Sequence, residues 1–233
     1  MNTSQIKYMR ALRRANNVAF WLTLAMGIAN LVYLIMDGEK TIGEVIFRGV
    51  QYALMLLILK LPRLLRLHFR IEVPLFLSVM IIVFCFSALV MGDGLDFYGR
   101  FSWWDCILHA ESGILLSGIA LWLIHIIMAE NENYIYFNKY FLFLFLLMFS
   151  LGVGALWEII EYSYDSIFST NTQQFMATTT SSIYTDEDLP LLGHEALKDT
   201  MVDLILDLVG AFLVSVYGMI NHERILNSYL NRK

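Results

Sequence analysis

Six apolar stretches alternate with short polar ones along this chain. They cover residues 17–36, 42–61, 71–91, 103–128, 140–164 and 199–220. Each approaches the roughly 20 residues that an α-helix needs to cross about 30 Å of hydrocarbon. The pattern predicts an all-α, polytopic membrane protein with six transmembrane helices, forming a single membrane domain over 1–233. Most connections are brief. The exception is 166–198, a long polar segment rich in Thr, Ser and Gln.

The first stretch follows a basic N-terminal segment, as in a signal peptide. The run is too long for a signal core and lacks a small-x-small site before Asp37, so an uncleaved first span is expected. The second stretch carries Glu44 and Arg48, four apart with the acid first, the favourable order for a helical ion pair. Residues 60–70 form a basic amphipathic linker. Pro74 falls in the first turn of the third span, where its missing N–H costs little.

Composition agrees with this pattern. The chain is 58% hydrophobic and 16% charged, against about half and a quarter in soluble domains. The placement of charge matters more than the net value of −5. Twelve of the 16 lysines and arginines fall on the side of the termini, three on the other, and Arg48 within a span. That asymmetry predicts a cell-membrane protein with both termini cytoplasmic and the loop 166–198 extracytoplasmic. The basic clusters signal orientation rather than nucleic acid, so membrane lipid is the expected partner. Cys85 and Cys106 show neither a disulfide framework nor a zinc spacing and read as small buried residues.

The informative residues are ionisable groups at the span ends. Asp105 and His109 open the fourth span. Glu158, Glu161 and Asp165 close the fifth, and Asp199, Asp203 and Asp207 open the sixth. Under the predicted topology all three sets share the extracytoplasmic half of the bilayer. Spacings of three or four residues put each set on one helix face. Capping explains Asp105 and Asp199, but not Asp203 and Asp207 deeper in, nor acids at a helix C-terminus. Small residues in these spans, among them Gly113, Gly152, Gly154 and Gly210, favour close helix approach. Trp103, Trp104 and Trp157 read as an interfacial belt.

Such a cluster is not left ionised and empty in hydrocarbon. Bound cations, shared protons or intervening water would each resolve it. Carboxylates with one imidazole suit a divalent cation such as magnesium, manganese, iron or calcium. The expected ligand set is Asp105, His109, Glu158, Glu161, Asp199, Asp203 and Asp207. His109 and Glu158 are the candidate catalytic acid–base groups. The loop 166–198, with Asp186, Glu187, Asp188 and His194, is positioned to cover the site or is simply solvated.

Three segments together, WDCILHAESG, GALWEIIEY and KDTMVDLILDLVGA, resemble the YjdF-like family of bacterial integral membrane proteins. The family pattern of Asp-x-x-x-His, Trp-Glu-x-x-Glu and Asp-Thr-x-x-Asp falls on Asp105 and His109, on Trp157, Glu158 and Glu161, and on Asp199, Thr200 and Asp203. The resemblance covers 103–211. Asp207 is an additional acid, and the first two spans match nothing in it. It implies a membrane fold and a shared site, and no reaction.

Three functions fit these residues. One is a divalent-metal-dependent membrane enzyme acting on a lipid or lipid-linked substrate. Another is a cation- or proton-coupled transporter, although the cytoplasmic halves of the last three spans are nearly all apolar. The third is a metal-binding scaffold or sensor without catalysis. No Gly-x-Ser-x-Gly motif is present, which argues against acyl-enzyme chemistry.

Overall fold

The computed structural model describes residues 3–37, 42–69, 71, 73–130, 138–178 and 188–230. Among these the protein is all-α, with one isolated antiparallel bridge and no strand. Five helical stretches are long and apolar enough to cross a membrane: Arg13–Tyr33, Leu75–Gly94, Trp104–Met128, Lys139–Phe168 and Glu195–Ile220. The second predicted span is shorter. Helix α2 (Ile42–Ile58) has 17 residues, the low end of the spanning range. A turn at Leu59 and Lys60 ends it, and Pro62, which has no N–H to donate, starts α3 (Leu61–Phe69).

The chain divides into two compact units, 1–101 and 102–233. The first contains α1 (Thr3–Asp37), α2, α3, α4 (Leu75–Cys85) and the short α5 (Phe97–Arg100). Its core gathers Ala19, Tyr52, Met55, Leu59, Ile82 and Val90. Helix α4 continues as a π-helix, Phe86–Gly94. In apolar surroundings the carbonyls at its end need donors. Arg48 Nη1 donates to the carbonyls of Asp93 and Gly94, and Asn30 Nδ2 donates to Gly94 at 2.8 Å. Gln51 Nε2 donates to Asp93 Oδ2 at 2.6 Å. Arg48, expected to pair with Glu44, thus serves the π-helix; the side chain of Glu44 lies outside the described residues.

The second unit contains α6 (Trp104–Glu130), α7 (Lys139–Phe168), α8 (Lys198–Ile220) and α9 (His222–Leu230). Asn138 caps α7, its side chain accepting from Phe141 N at 2.8 Å. Helices α6, α7 and α8 pack mutually. Their inward stripes are the small and polar ones, as expected when the surroundings are lipid. On α7 Ser150, Gly154, Glu158 and Asp165 are buried, while Leu156, Trp157, Ile159 and Ile160 are exposed. On α8 Asp203, Asp207, Gly210, Ala211 and Ser215 are buried.

Glycines set the approach of α6 and α8. A Cβ on Gly113 would collide with the carbonyl of Asp207, and one on Gly210 with the carbonyl of Ala110. Ser150 Oγ donates to the Gly113 carbonyl at 3.2 Å, and Ser117 Oγ to that of Leu146 at 3.2 Å. Below this level Ala120, Ile124, Leu142 and Leu146 form an apolar core. One expectation fails. Gly152, grouped with the packing glycines, is exposed, and a Cβ there would meet nothing within 4 Å. It lies two residues before Gly154, on the far side of the helix.

Candidate metal centre

The site is assembled by the close crossing of α6 and α8. Asp105 and His109 share one face of α6; Asp203 and Asp207 share one face of α8. With glycine at the crossing, these faces meet without intervening bulk. His109 Nε2 lies 3.7 Å from Asp105 Oδ1 and 3.8 Å from Asp203 Oδ2. His109 Nδ1, on the opposite edge of the ring, lies 3.5 Å from Asp207 Oδ2. Exposure is 7% for His109 and 1% for each of Asp203 and Asp207. Asp105 is partly buried.

Three carboxylates surround the imidazole, yet these separations are longer than formed hydrogen bonds. Among the described residues, neither oxygen of Asp203 has a hydrogen-bond donor, and His109 Nδ1 and Glu158 Oε1 have no hydrogen-bond partner. Buried polar atoms are normally satisfied, so each such orphan needs an explanation. The ligand atoms of Asp105, His109 and Asp203 lie within 4.8 Å of one another. Atoms sharing one ion at about 2.0–2.4 Å stand about 3–4.5 Å apart, so these donors fit a common cation.

Asp207 stands behind the imidazole, on Nδ1, and Ser112 Oγ donates to its Oδ1. A carboxylate on the nitrogen opposite the ligating one is the usual outer partner of a metal-bound histidine. Gly154 brings α7 against this group, since a Cβ there would strike Asp207 Oδ2.

Glu158 is 5% exposed and points inward from α7. Gln173 Nε2 contacts its Oε2 at 3.4 Å and Thr200 Oγ1 at 3.0 Å, linking α7 to α8. Gln174 Nε2 reaches Asp105 Oδ2 at 3.4 Å. Four predicted ligands lie outside the trio: Asp207 and Glu158, placed as above, and Glu161 and Asp199. Glu161 accepts from Trp157 Nε1 at 3.0 Å on its own helix. Asp199 sits in the first turn of α8, partly buried, one turn before Asp203.

Asp165 has a different task. Helix α7 ends at Ser169 in the left-handed conformation, φ 54°, and the chain folds back. Asp165 Oδ1 accepts from Thr170 Oγ1, Thr172 N and Thr172 Oγ1 at 2.7–2.8 Å, and Oδ2 accepts from Gln173 N at 3.0 Å. Asn171 Oδ1 accepts from Met176 N at 2.9 Å. The returning segment 188–197 meets this turn at the Met176–Pro190 bridge. The polar loop is therefore ordered at its base, and it delivers Gln173 and Gln174 to the acids. Asp186 and Glu187 lie outside the described residues; His194 is exposed.

Asp165→Asn places an amide N–H donor against one of these N–H or O–H donors. We expect a loss of about 1–3 kcal/mol. Limited proteolysis should then cut near 169–178 at protease levels that leave the wild type intact.

Sequence reasoning missed Ser112, Gln173 and Gln174. The two glutamines sit in a loop without periodicity, and a serine in a membrane helix reads as packing. A signal existed only in Asp165 followed by Thr170 and Thr172, a carboxylate with nearby donors.

A family model described as "Predicted membrane protein (DUF2238)" matches residues 18–224. A Thermotoga maritima protein, described as "Uncharacterized protein", is 30% identical over 147 residues. That match spans 62% of this chain and 62% of the relative, less than two thirds of either. No solved structure matches the chain. The family match agrees with the resemblance carried by the three acidic segments and extends it through the first spans. The chain, with five apolar membrane-length helices and a buried Asp–His group among its described residues, matched over 207 of its residues, belongs to the DUF2238 family of predicted membrane proteins.

Proposed function

We propose that Asp105, His109 Nε2 and Asp203 hold a divalent cation in the extracytoplasmic half of the cell membrane, and that the site is a metal-dependent enzyme's, acting on a lipid or lipid-linked substrate. The observation that carries this is the position of Asp203. It is 1% exposed, neither oxygen has a donor among the described residues, and Oδ2 lies 3.8 Å from His109 Nε2. An ionised buried carboxylate without donors is costly, and a cation at its front offsets that cost.

The residues then divide their work. Asp105, His109 and Asp203 are ligands from two helices, leaving positions open for a reacting group. Asp207, fixed by Ser112, orients the imidazole and disposes Nδ1 as the protonated nitrogen. The cation supplies Lewis acidity to a carbonyl or phosphoryl oxygen. Glu158, with one oxygen held by Gln173, turns its other oxygen to the pocket, where it takes or returns the proton unless a further cation engages it. Exposed apolar side chains around the unit, such as Ile159 and Ile205, suit a substrate that arrives through the bilayer.

Elemental analysis of detergent-purified protein tests the metal. Stoichiometric divalent ion is expected, and none retained or regained on soaking would end this reading. Affinity should also fall as pH is lowered, because protons compete with the cation for the imidazole and the carboxylates. Turnover of lipid esters or lipid phosphates is expected of an enzyme. Metal uptake into proteoliposomes without turnover would instead make the ion cargo.

A further inference from the structure

We infer that the pocket takes a second divalent cation, between Asp203 and Glu158, with Asp203 bridging the two positions. This rests on the first cation standing at Asp105, His109 and Asp203. That ion uses Asp203 Oδ2, the oxygen facing the imidazole. Two buried carboxylate oxygens are then still without donors among the described residues, Asp203 Oδ1 and Glu158 Oε1.

The helix register brings them together. Helices α7 and α8 run antiparallel, so residues that face each other have a nearly constant sum of numbers. Gly154 abuts Asp207. One turn further, Gln173 ties Glu158 to Thr200, which lies one turn before Asp203. Glu158 therefore faces α8 between Thr200 and Asp203.

Charge gives an independent reason. Asp105, Asp203 and Asp207 surround one imidazole, and Glu158 faces the same stretch of α8. A single dication leaves two negative charges uncompensated in a setting where that is expensive. Among the described residues of this unit, no side-chain cation makes up the difference. Lysine and arginine are absent from 140–197 and 199–223, and Lys198 is exposed and paired with Glu195 at 3.5 Å. A second dication closes the balance. Its donors are all oxygen, which suits magnesium, manganese or calcium, whereas the first position has the histidine nitrogen. Two cations sharing one carboxylate match the clamp used for phosphoryl groups, so a phosphate ester is the substrate class to assay.

Manganese titration of the purified full-length protein tests this. Wild type should saturate at two ions per chain with a spin-coupled resonance spectrum. Glu158→Gln should bind one, with an uncoupled six-line spectrum, at unchanged first-site affinity. Wild type saturating at one uncoupled ion would overturn the second position and leave the first standing. Binding no manganese would remove both. Should Glu158→Gln fail to fold, the wild-type count and coupling decide alone.

Discussion

Asp203→Asn is expected to weaken divalent-cation binding by at least about a hundredfold. Outer partners of a metal site typically contribute ten- to a hundredfold, and a direct ligand contributes more. The amide keeps the volume of the carboxylate while removing its charge. It also turns one oxygen into a donor that would face His109 or the ion. Because Asp203 is almost fully buried, solvent cannot fill in for the lost ligand. Folding should not suffer, since the buried charge that disappears had no donor to lose. A calorimetric titration with manganese, beside a melting curve, separates the two effects. The expected result is weak binding in a protein at least as stable as wild type. Near-wild-type affinity would exclude Asp203 as a ligand.

The second large effect concerns backbone contact. Gly210→Ala should destabilise the protein by about 3 kcal/mol, the upper end of the usual penalty for overpacking. The new Cβ would meet the Ala110 carbonyl, with Ile114 N at 3.0 Å and Gly113 Cα at 3.2 Å. These are main-chain atoms of α6, which cannot rotate aside. The helices must separate, and the site with them, because Asp105 and His109 ride on α6 and Asp203 and Asp207 on α8. Gly152→Ala is the control. Its Cβ meets nothing, so removing a helical glycine should stabilise by about 0.5–1 kcal/mol. Opposite shifts in melting temperature for two identical substitutions are expected. Equal shifts would mean that Gly210 is not at a helix crossing.

Much of this arrangement was legible in the sequence because periodicity encodes faces. Four-residue spacing placed Asp105 with His109 and Asp203 with Asp207 on single stripes, and loop order put all of them at one end of the helix bundle. Periodicity does not encode depth of contact. It did not distinguish Asp203, in front of the imidazole, from Asp207, behind it. Glu161 shares a helix with Glu158, but the 60° offset of a three-residue step turns it to Trp157. Asp165 looked like another pocket acid. Its four donors lie downstream in a loop, where no regular spacing announces them. The π-helix at Phe86–Gly94 had no signature either, since its apolar run suits an α-helix equally well.

The proposed site makes one geometric claim that a diffraction experiment reads directly. Crystals of the protein grown in lipid with manganese should give an anomalous peak about 2.0–2.4 Å from Asp105 Oδ1, His109 Nε2 and Asp203 Oδ2. A peak on the Nδ1 edge of His109, or none inside the crossing of α6 and α8, would contradict it.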